Sequence, residues 1–132
     1  MSENMDCFVA QTGDIKVFAY PELLDEDSQK QRIWAYCLRI ENNSDEPITL
    51  MQKKMCLTDE RGNIFYDYSD GFNGELPDLQ PGEYFEYEET AQTCGISAIL
   101  YGFCSAVTAK GKKLKIDIPT IDLSTEEAML LN

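Results

Sequence analysis

Histidine is absent from the 132 residues of this chain, and basic residues are few. Without histidine the chain lacks the commonest general base and the commonest metal ligand, so Ser-His-Asp and Cys-His catalysis are excluded. The 11 basic and 24 acidic side chains give a formal net charge of −13 at pH 7. A surface of this charge repels phosphate backbones and anionic lipids, which makes nucleic acid and membrane surfaces unfavourable partners.

Long apolar runs and closely spaced cysteine pairs are also missing. No stretch approaches the length of about 20 apolar residues that a membrane-spanning helix needs, and the polar residues 1–6 resemble neither a signal nor a transit peptide. The five cysteines are an odd number without Cys-x-x-Cys spacing, which disfavours both a disulfide framework and a cysteine-only zinc site. The sequence therefore predicts a cytoplasmic protein with reduced thiols and without a metal or cofactor.

Glycine and proline punctuate the sequence at short intervals, and apolar residues alternate with polar ones between them. This rhythm predicts a two-sheet antiparallel all-β sandwich, in one domain over residues 1–132. From residue 32 to 41 one parity carries Trp34, Tyr36, Leu38 and Ile40 and the other carries Arg39 and Glu41, as in a half-buried strand. The core is expected to contain Trp34, Tyr36, Leu38, Leu100, Ile116 and Ile118.

The same pattern places the other elements. A polar connection is expected over 21–31, and further strands over 15–20, 48–57, 64–68, 83–89, 96–108 and 114–118. The apolar parity breaks after Leu50, and we predict a β-bulge near Gln52–Lys54 because one extra residue flips every later side chain. A capping-box pattern from Ser124 to Glu127 predicts a short C-terminal helix, with a frayed end as the alternative.

The most informative segment for function is rich in glycine. It lies in a loop that we expect to run from Ser69 to Gly82. Glycines at this spacing let backbone amides approach phosphate oxygens. Prolines at 77 and 81 leave no room for the helix that a dinucleotide-binding fold requires, so a Rossmann site is excluded. An anion-binding loop and a plain connection between strands both stay open. The candidate residues are Ser69, Asp70, Gly71, Phe72, Asn73 and Gly74, a Gly-x-Gly-x-x-Gly pattern with serine at the first position.

Three further features are candidates for function. Glu86 and Glu88 share one strand face about 7 Å apart and form either a surface cation site or an ordinary solvated face. Phe72 is either a contact residue for a partner or a cap on the core. An enzyme that uses these two carboxylates or Glu75 is the least favoured hypothesis, since no partner base is visible, and no catalytic residue is assigned.

Several different short motifs follow one another along the chain, at 34–36, 40–42, 57–62, 71–77, 79–85, Gly95, Gly102 and 118–123. Together they cover about residues 15–123, and their order resembles the ApaG domain family. The resemblance implies a fibronectin type III-like or immunoglobulin-like sandwich. It also implies a small bacterial protein linked genetically to cobalt resistance and magnesium efflux, or a protein-binding module like those of eukaryotic F-box adaptors and polymerase-interacting proteins.

The chain departs from the family pattern at two places. Lys53-Lys54-Met55 stands where the family has a basic-histidine-tryptophan stretch, and Ser69 stands where it has the first glycine, which weakens any anion-binding role carried over from it. The family has no settled enzymatic activity. We therefore expect a non-enzymatic binding domain that presents a protein-interaction surface on its loops, with homodimer formation left open. The alternative is a protein that responds to a phosphate ligand or a divalent cation in magnesium or cobalt homeostasis.

Overall fold

Two antiparallel sheets pack face to face in the structure, a computed structural model that describes residues 7–29 and 31–124. The strands are β1 (Phe8–Thr12), β2 (Ile15–Glu26), β3 (Gln31–Asn42), β4 (Ile48–Asp59), β5 (Ile64–Asp70), β6 (Asp78–Leu79), β7 (Tyr84–Cys94), β8 (Ala98–Thr108) and β9 (Lys113–Asp122). The first sheet has the order β1-β2-β3-β7, and the second has the order β5-β4-β8-β9 with β6 paired to β4. The predicted all-β sandwich is confirmed. No helix in the described residues could cross a membrane.

The core lies between the sheets, and in β3 it takes the side chains of one parity, Trp34, Tyr36, Leu38 and Ile40, as alternation predicts. Trp34 is 6% exposed, and its indole Nε1 donates a hydrogen bond to Thr93 Oγ1 at 3.0 Å, which links β3 to β7. Arg39 and Glu41 lie on the opposite face of β3. The predicted core is confirmed, because all of its members are buried: Trp34, Tyr36, Leu38, Leu100, Ile116 and Ile118.

The predicted bulge in β4 is also confirmed. The register between β4 and β8 shifts between Leu50 and Lys53, which flips the parity of the inward side chains. Leu50 faces the core before the shift, and Lys53, Met55 and Leu57 face it afterwards. One consequence is that the Lys53 side chain points between the sheets and is only 1% exposed.

Two expectations for the first part of the chain are wrong. β1 has no counterpart among the strands expected from the pattern, and residues 21–26, expected within a polar connection, continue β2 along β3. Residues 22–26 are exposed, and the register shifts between Leu23 and Asp25. This end of β2 is held by backbone pairing with β3 and by the ion pair of Glu26 with Arg32, and neither requires apolar alternation in the sequence.

The expected loop from Ser69 to Gly82 is shorter in the structure. β5 continues through Asp70, and Asp78 and Leu79 form β6 against the start of β4. Backbone hydrogen bonds with β4 place these residues in strands, although prolines and glycines surround them. The helix expected from Ser124 to Leu131 lies outside the described residues, which end at 124.

The two sides of the sandwich differ in how the sheets meet. On one side β1 and β2 pack against β9 and close the gap between the sheets. On the other side the end strands are β7 and β5. Phe65 and Asp67 of β5 are in register with inward-facing residues of β4, yet their side chains are each 55% exposed. The first sheet therefore ends before it covers β5, and a cleft remains between β7 and β5.

Candidate functional site

Residues 72–75 of the Gly-rich segment form a tight hairpin turn. The amide of Phe72 donates to the Glu75 carbonyl at 2.8 Å, and the amide of Glu75 donates to the Phe72 carbonyl at 3.1 Å. Asn73 and Gly74 both have positive φ, 55° and 83°, which is the type I′ geometry that an Asn-Gly pair favours. The Gly71 amide donates to the Met51 carbonyl. Three amides of this segment thus bond to backbone carbonyls instead of converging on one point.

Phe72 is a core residue. It is 1% exposed, and its ring centroid lies 5.5 Å from that of Phe85 and 5.1 Å from that of Tyr87, both edge to face. Such aromatic pairs stabilise a core beyond the area they bury. The hypothesis that Phe72 contacts a partner is wrong, and the alternative that it caps the core is confirmed.

The polar residues of the segment bond locally. Ser69 Oγ donates to the Gly71 carbonyl at 3.3 Å, and Asp70 Oδ1 accepts a hydrogen bond from Gln52 Nε2 at 3.0 Å. Both belong to β5 rather than to a loop, so these side chains support the strand and the turn that follows it. The anion-binding loop formed by these residues stays a hypothesis.

Glu86 and Glu88 lie exposed on the outer face of β7, as the alternation predicts. Arg39 Nη1 lies 3.6 Å from Glu86 Oε2, so one of the two carboxylates already has a cationic neighbour. Among the residues that the structure describes, no group of three or more acidic or cysteine side chains could hold a metal ion. The pair serves as a negative patch on an edge strand.

We expect no saturable heat when pyrophosphate or a nucleotide is titrated into the protein, even at millimolar concentration. The net charge of −13 repels an anion, Asp70 and Glu75 add local repulsion, and the turn engages its own amides. Isothermal titration calorimetry checks this result. Saturable heat that the Gly71→Ala substitution removes, in protein that stays folded, would contradict the prediction.

A group of aromatic side chains covers the outer face of the second sheet. Cross-strand register aligns Tyr66, Cys56 and Tyr101 in one row, and Tyr68, Lys54 and Phe103 in the next. Ile64 and Ile99 continue the surface on either side of Thr58. We call this surface the aromatic face and define it by Ile64, Tyr66, Tyr68, Ile99, Tyr101 and Phe103.

The rings of β5 on the aromatic face are open to solvent. Tyr66 is 63% exposed and Tyr68 is 61% exposed, with ring centroids 5.6 Å apart. Lysines border the rings: Lys54 Nζ lies 5.5 Å from the centroid of Tyr68, and Lys115 Nζ lies 4.4 Å from that of Phe103. Lysines thus lie against two of its rings, although the protein is strongly acidic and Asp117 is in register with Phe103 on the same face.

The cleft between β7 and β5 is a second candidate binding surface, besides the aromatic face. Its volume is about 580 Å³, and Tyr36, Met55, Leu57, Ala91 and Leu100 contribute to its apolar lining together with the exposed ring of Phe65. Polar side chains also line it, and they include Asp59, Arg61, Asn63, Asp67 and Gln92. A volume of this size lies within the range of roughly 300–1,000 Å³ that ligand sites use.

A buried lysine connects the strands beside this cleft. Lys53 Nζ donates to Asp67 Oδ2 at 3.2 Å and to Tyr87 Oη at 3.1 Å, and Tyr87 Oη donates to Glu89 Oε2 at 2.7 Å. Burial, reinforced by Glu89, raises the pKa of Tyr87 above its ordinary value, and burial also raises the pKa of Tyr36. Both phenols stay neutral at physiological pH, so the network holds β4, β5 and β7 together as hydrogen-bond donors and acceptors.

Sequence reasoning missed both the aromatic face and the inward position of Lys53. The bulge prediction contained the signal for Lys53, since after the parity break it shares the parity of Met55 and Leu57. For β5, the signal is the run from Ile64 to Tyr68, in which apolar and aromatic residues occupy both parities of a short strand. Such a strand presents apolar side chains on two faces, and only one face of an end strand can be covered.

The chain is thus a small all-β domain built as a two-sheet sandwich. Its distinguishing features, the Gly-rich turn and the uncovered aromatic face, lie on its surface and not in an enclosed pocket. The family model of the ApaG domain matches residues 22–107. Protein ApaG of Parvibaculum lavamentivorans is 32% identical over 124 residues, which are 92% of this chain and 95% of that protein. Protein ApaG of Rhodospirillum centenum is 34% identical over 117 residues, 86% of this chain and 90% of that protein. The chain belongs to the ApaG domain family, and the resemblance read from its motifs is confirmed.

Solved structures agree on the fold. The putative ApaA protein from Bordetella pertussis superposes with a TM-score of 0.82 at 26% identity, over 86% of this chain and 94% of that one. An X-ray structure of a structural genomics target also gives a TM-score of 0.82, at 22% identity, over 89% of this chain and 92% of that one. The arrangement of strands is therefore common to these proteins.

Proposed function

We propose that this chain is a cytoplasmic, non-enzymatic protein-binding domain and that its contact surface is the aromatic face. The observation that carries the proposal is the exposure of Tyr66 and Tyr68, at 63% and 61%, on a face where aromatic and aliphatic side chains of β5 and β8 flank Lys54, Cys56 and Thr58 of β4. Large apolar surfaces on a soluble domain mark sites of interaction. The aromatic face lies on strands, whereas the sequence analysis expected the interaction surface on loops.

The composition of the aromatic face supports a protein partner. Tyrosine and phenylalanine are enriched in protein interfaces, and tyrosine is among the residues that contribute most to binding. The outer face of the first sheet offers a contrast, since it carries Glu22, Glu41, Glu86 and Glu88 on neighbouring strands. That outer face also carries the exposed ring of Tyr84 and the stacked rings of Phe18 and Tyr20, so the two faces differ chiefly in their charge.

The alternative, a response to a phosphate ligand or a divalent cation in magnesium or cobalt homeostasis, rests on the family resemblance alone. Thermal melts with pyrophosphate, magnesium or cobalt separate the two functions. A ligand that binds only the folded state stabilises it by about 2.7 kcal/mol at a concentration 100-fold above its dissociation constant. No geometric feature of the Gly-rich turn favours this alternative, and we keep the protein-binding function as the conclusion.

Replacing Tyr66 and Tyr68 together with serine is expected to weaken partner binding at least about tenfold while leaving the fold intact, because both side chains are exposed and make no core contact. The measurement is affinity capture from extracts of the native source, followed by quantitative mass spectrometry. Circular dichroism confirms that the variant is folded.

The matched control is Tyr84→Ser, which removes an exposed tyrosine from the outer face of the first sheet. The guanidinium of Arg39 lies 3.6 Å from the Tyr84 ring centroid, so this ring is also part of a local surface contact. Partners that bind the native protein and the control, and that are lost with the double variant, support the proposal. An unchanged set of partners for all three proteins would contradict it.

A further inference from the structure

One edge of β7 ends the first sheet. β7 pairs with β3 along its other edge, over the pairs from Gln31 and Cys94 to Glu41 and Tyr84. In the part of the chain that the structure describes, no strand pairs with the outward edge of β7. An unpaired edge presents a row of backbone N–H and C=O groups that can take up an extended segment of another chain.

The second sheet projects beyond this edge. Phe65 points between the sheets, in register with Leu57, yet 55% of its surface is exposed because nothing in the first sheet lies opposite. A strand added beside β7, about 4.8 Å further out, would lie over Phe65 and fill the cleft. A strand added beside β5 would lie further from the first sheet and would leave Phe65 uncovered. The shape of the cleft therefore favours β7 as the pairing strand.

The charges along β7 determine what such a segment carries. Glu86 and Glu88 point to the outer face, so the neighbouring side chains of an added strand fit best when they are lysine or arginine. The side chains that point inward would meet the apolar surface of Phe65, Leu57 and Met55, with the Lys53–Asp67 ion pair at one end of it. Because successive side chains of a strand point to opposite faces, a matching segment alternates apolar and basic residues.

We propose that β7 binds an extended segment of a partner protein in which apolar residues alternate with lysine or arginine. The segment extends the first sheet along β7: its basic side chains at one end pair with Glu86 and Glu88, and its apolar side chains at the other end fill the cleft over Phe65, which residues 90–94 of β7 line. A second copy of this chain is a poor occupant, because two β7 edges bring like-charged glutamates together. This site goes beyond the proposed function, since it lies on a different surface from the aromatic face and specifies the chemistry of the segment.

The test uses a fluorescent, capped heptapeptide of alternating lysine and valine, and fluorescence anisotropy measures its binding to the full chain. We expect saturable binding, at least about tenfold tighter than that of a heptapeptide with the same composition in blocks, because only the alternating order separates the two faces. Equal binding of the two peptides would show simple attraction to the −13 charge and would overturn the proposal.

Two further arms locate the binding. The Glu86→Lys/Glu88→Lys variant is expected to lose at least about tenfold in affinity, while the control Asp45→Lys/Asp117→Lys, with the same change in charge at exposed positions away from the cleft, stays within about threefold. N-methylation of alternate peptide amides is expected to abolish binding in one of the two possible registers only. Equal losses for both protein variants, or binding that neither methylated peptide alters, would overturn the site.

Hydrogen exchange separates this site from the aromatic face. We expect the peptide to slow amide exchange in β7, and we expect the Tyr68→Ser variant, whose ring lies on the aromatic face and does not line the cleft, to bind the peptide as the native protein does. Slowed exchange in β5 instead of β7 would contradict the proposed pairing. Loss of native partners in the double tyrosine variant, with peptide binding retained by the Tyr68→Ser variant, supports both proposals, and each can fail without the other.

Discussion

Replacing Trp34 with alanine is expected to lower the free energy of unfolding by about 3–5 kcal/mol, the range for large aromatic truncations in cores. The side chain is 6% exposed, and its Nε1 donates to Thr93 Oγ1 at 3.0 Å. The truncation leaves a cavity between the sheets and a buried hydroxyl without its donor. Urea denaturation followed by far-ultraviolet circular dichroism measures the change, because the substitution removes the single tryptophan.

Trp34→Phe serves as the control for the ring. Phenylalanine keeps most of the apolar volume and loses the hydrogen bond to Thr93, so a smaller loss of about 1–2 kcal/mol is expected. A loss below about 1 kcal/mol for the alanine variant would mean that this face of β3 points to solvent, contrary to the packing of the two sheets.

Replacing Gly71 with alanine is expected to cost about 2–5 kcal/mol of unfolding free energy, from the left-handed conformation and from overpacking together. Gly71 has a φ of +77°, and the Cβ of an alanine at this position would clash with the Glu75 carbonyl oxygen. That oxygen accepts the Phe72 amide within the hairpin turn, so it cannot retreat without opening the turn. Chemical denaturation compares the variant with the native protein.

Gly74→Ala is the matched control in the same turn. Its φ is +83°, close to that of Gly71, but a Cβ there meets no atom within 4 Å. We expect a cost of only about 1–2 kcal/mol, from the backbone conformation alone. If the two variants lose the same stability, the close approach at Glu75 has no energetic weight and the turn is more adaptable than its hydrogen bonds imply.

The sandwich and its core could be predicted because they follow from side-chain alternation. Burial acts on every second residue of a strand, and this leaves a period of two in β3 and β9 that a single sequence displays. The bulge in β4 was predictable for the same reason, since a shift of one residue changes the parity of everything after it. The end of β2 was not, because backbone pairing outside the core places no demand on side-chain type.

The candidate functional surfaces, in contrast, could not be predicted from the sequence. The Gly-rich segment attracted attention because its spacing matches phosphate-binding loops, yet type I′ turns select the same Asn73-Gly74 pair. The aromatic face and the β7 edge depend on which strands end each sheet, and strand order is set by pairing between distant residues. The residues of β5 and β7 are visible in the sequence, but their exposure is a property of the assembled sheets.

The strand order also governs when the chain can fold. β3 and β4 are interior strands, and each needs a neighbour from the second half of the chain, β7 and β8 respectively. Trp34 and Thr93, which join β3 to β7, are 59 residues apart in sequence. Sheets built from such distant pairs fold slowly, in about milliseconds to seconds. During synthesis, both interior strands therefore keep one unpaired edge until β7 and β8 have left the ribosome, and a nascent chain stalled at the Gly-rich turn exposes both of these edges to other chains.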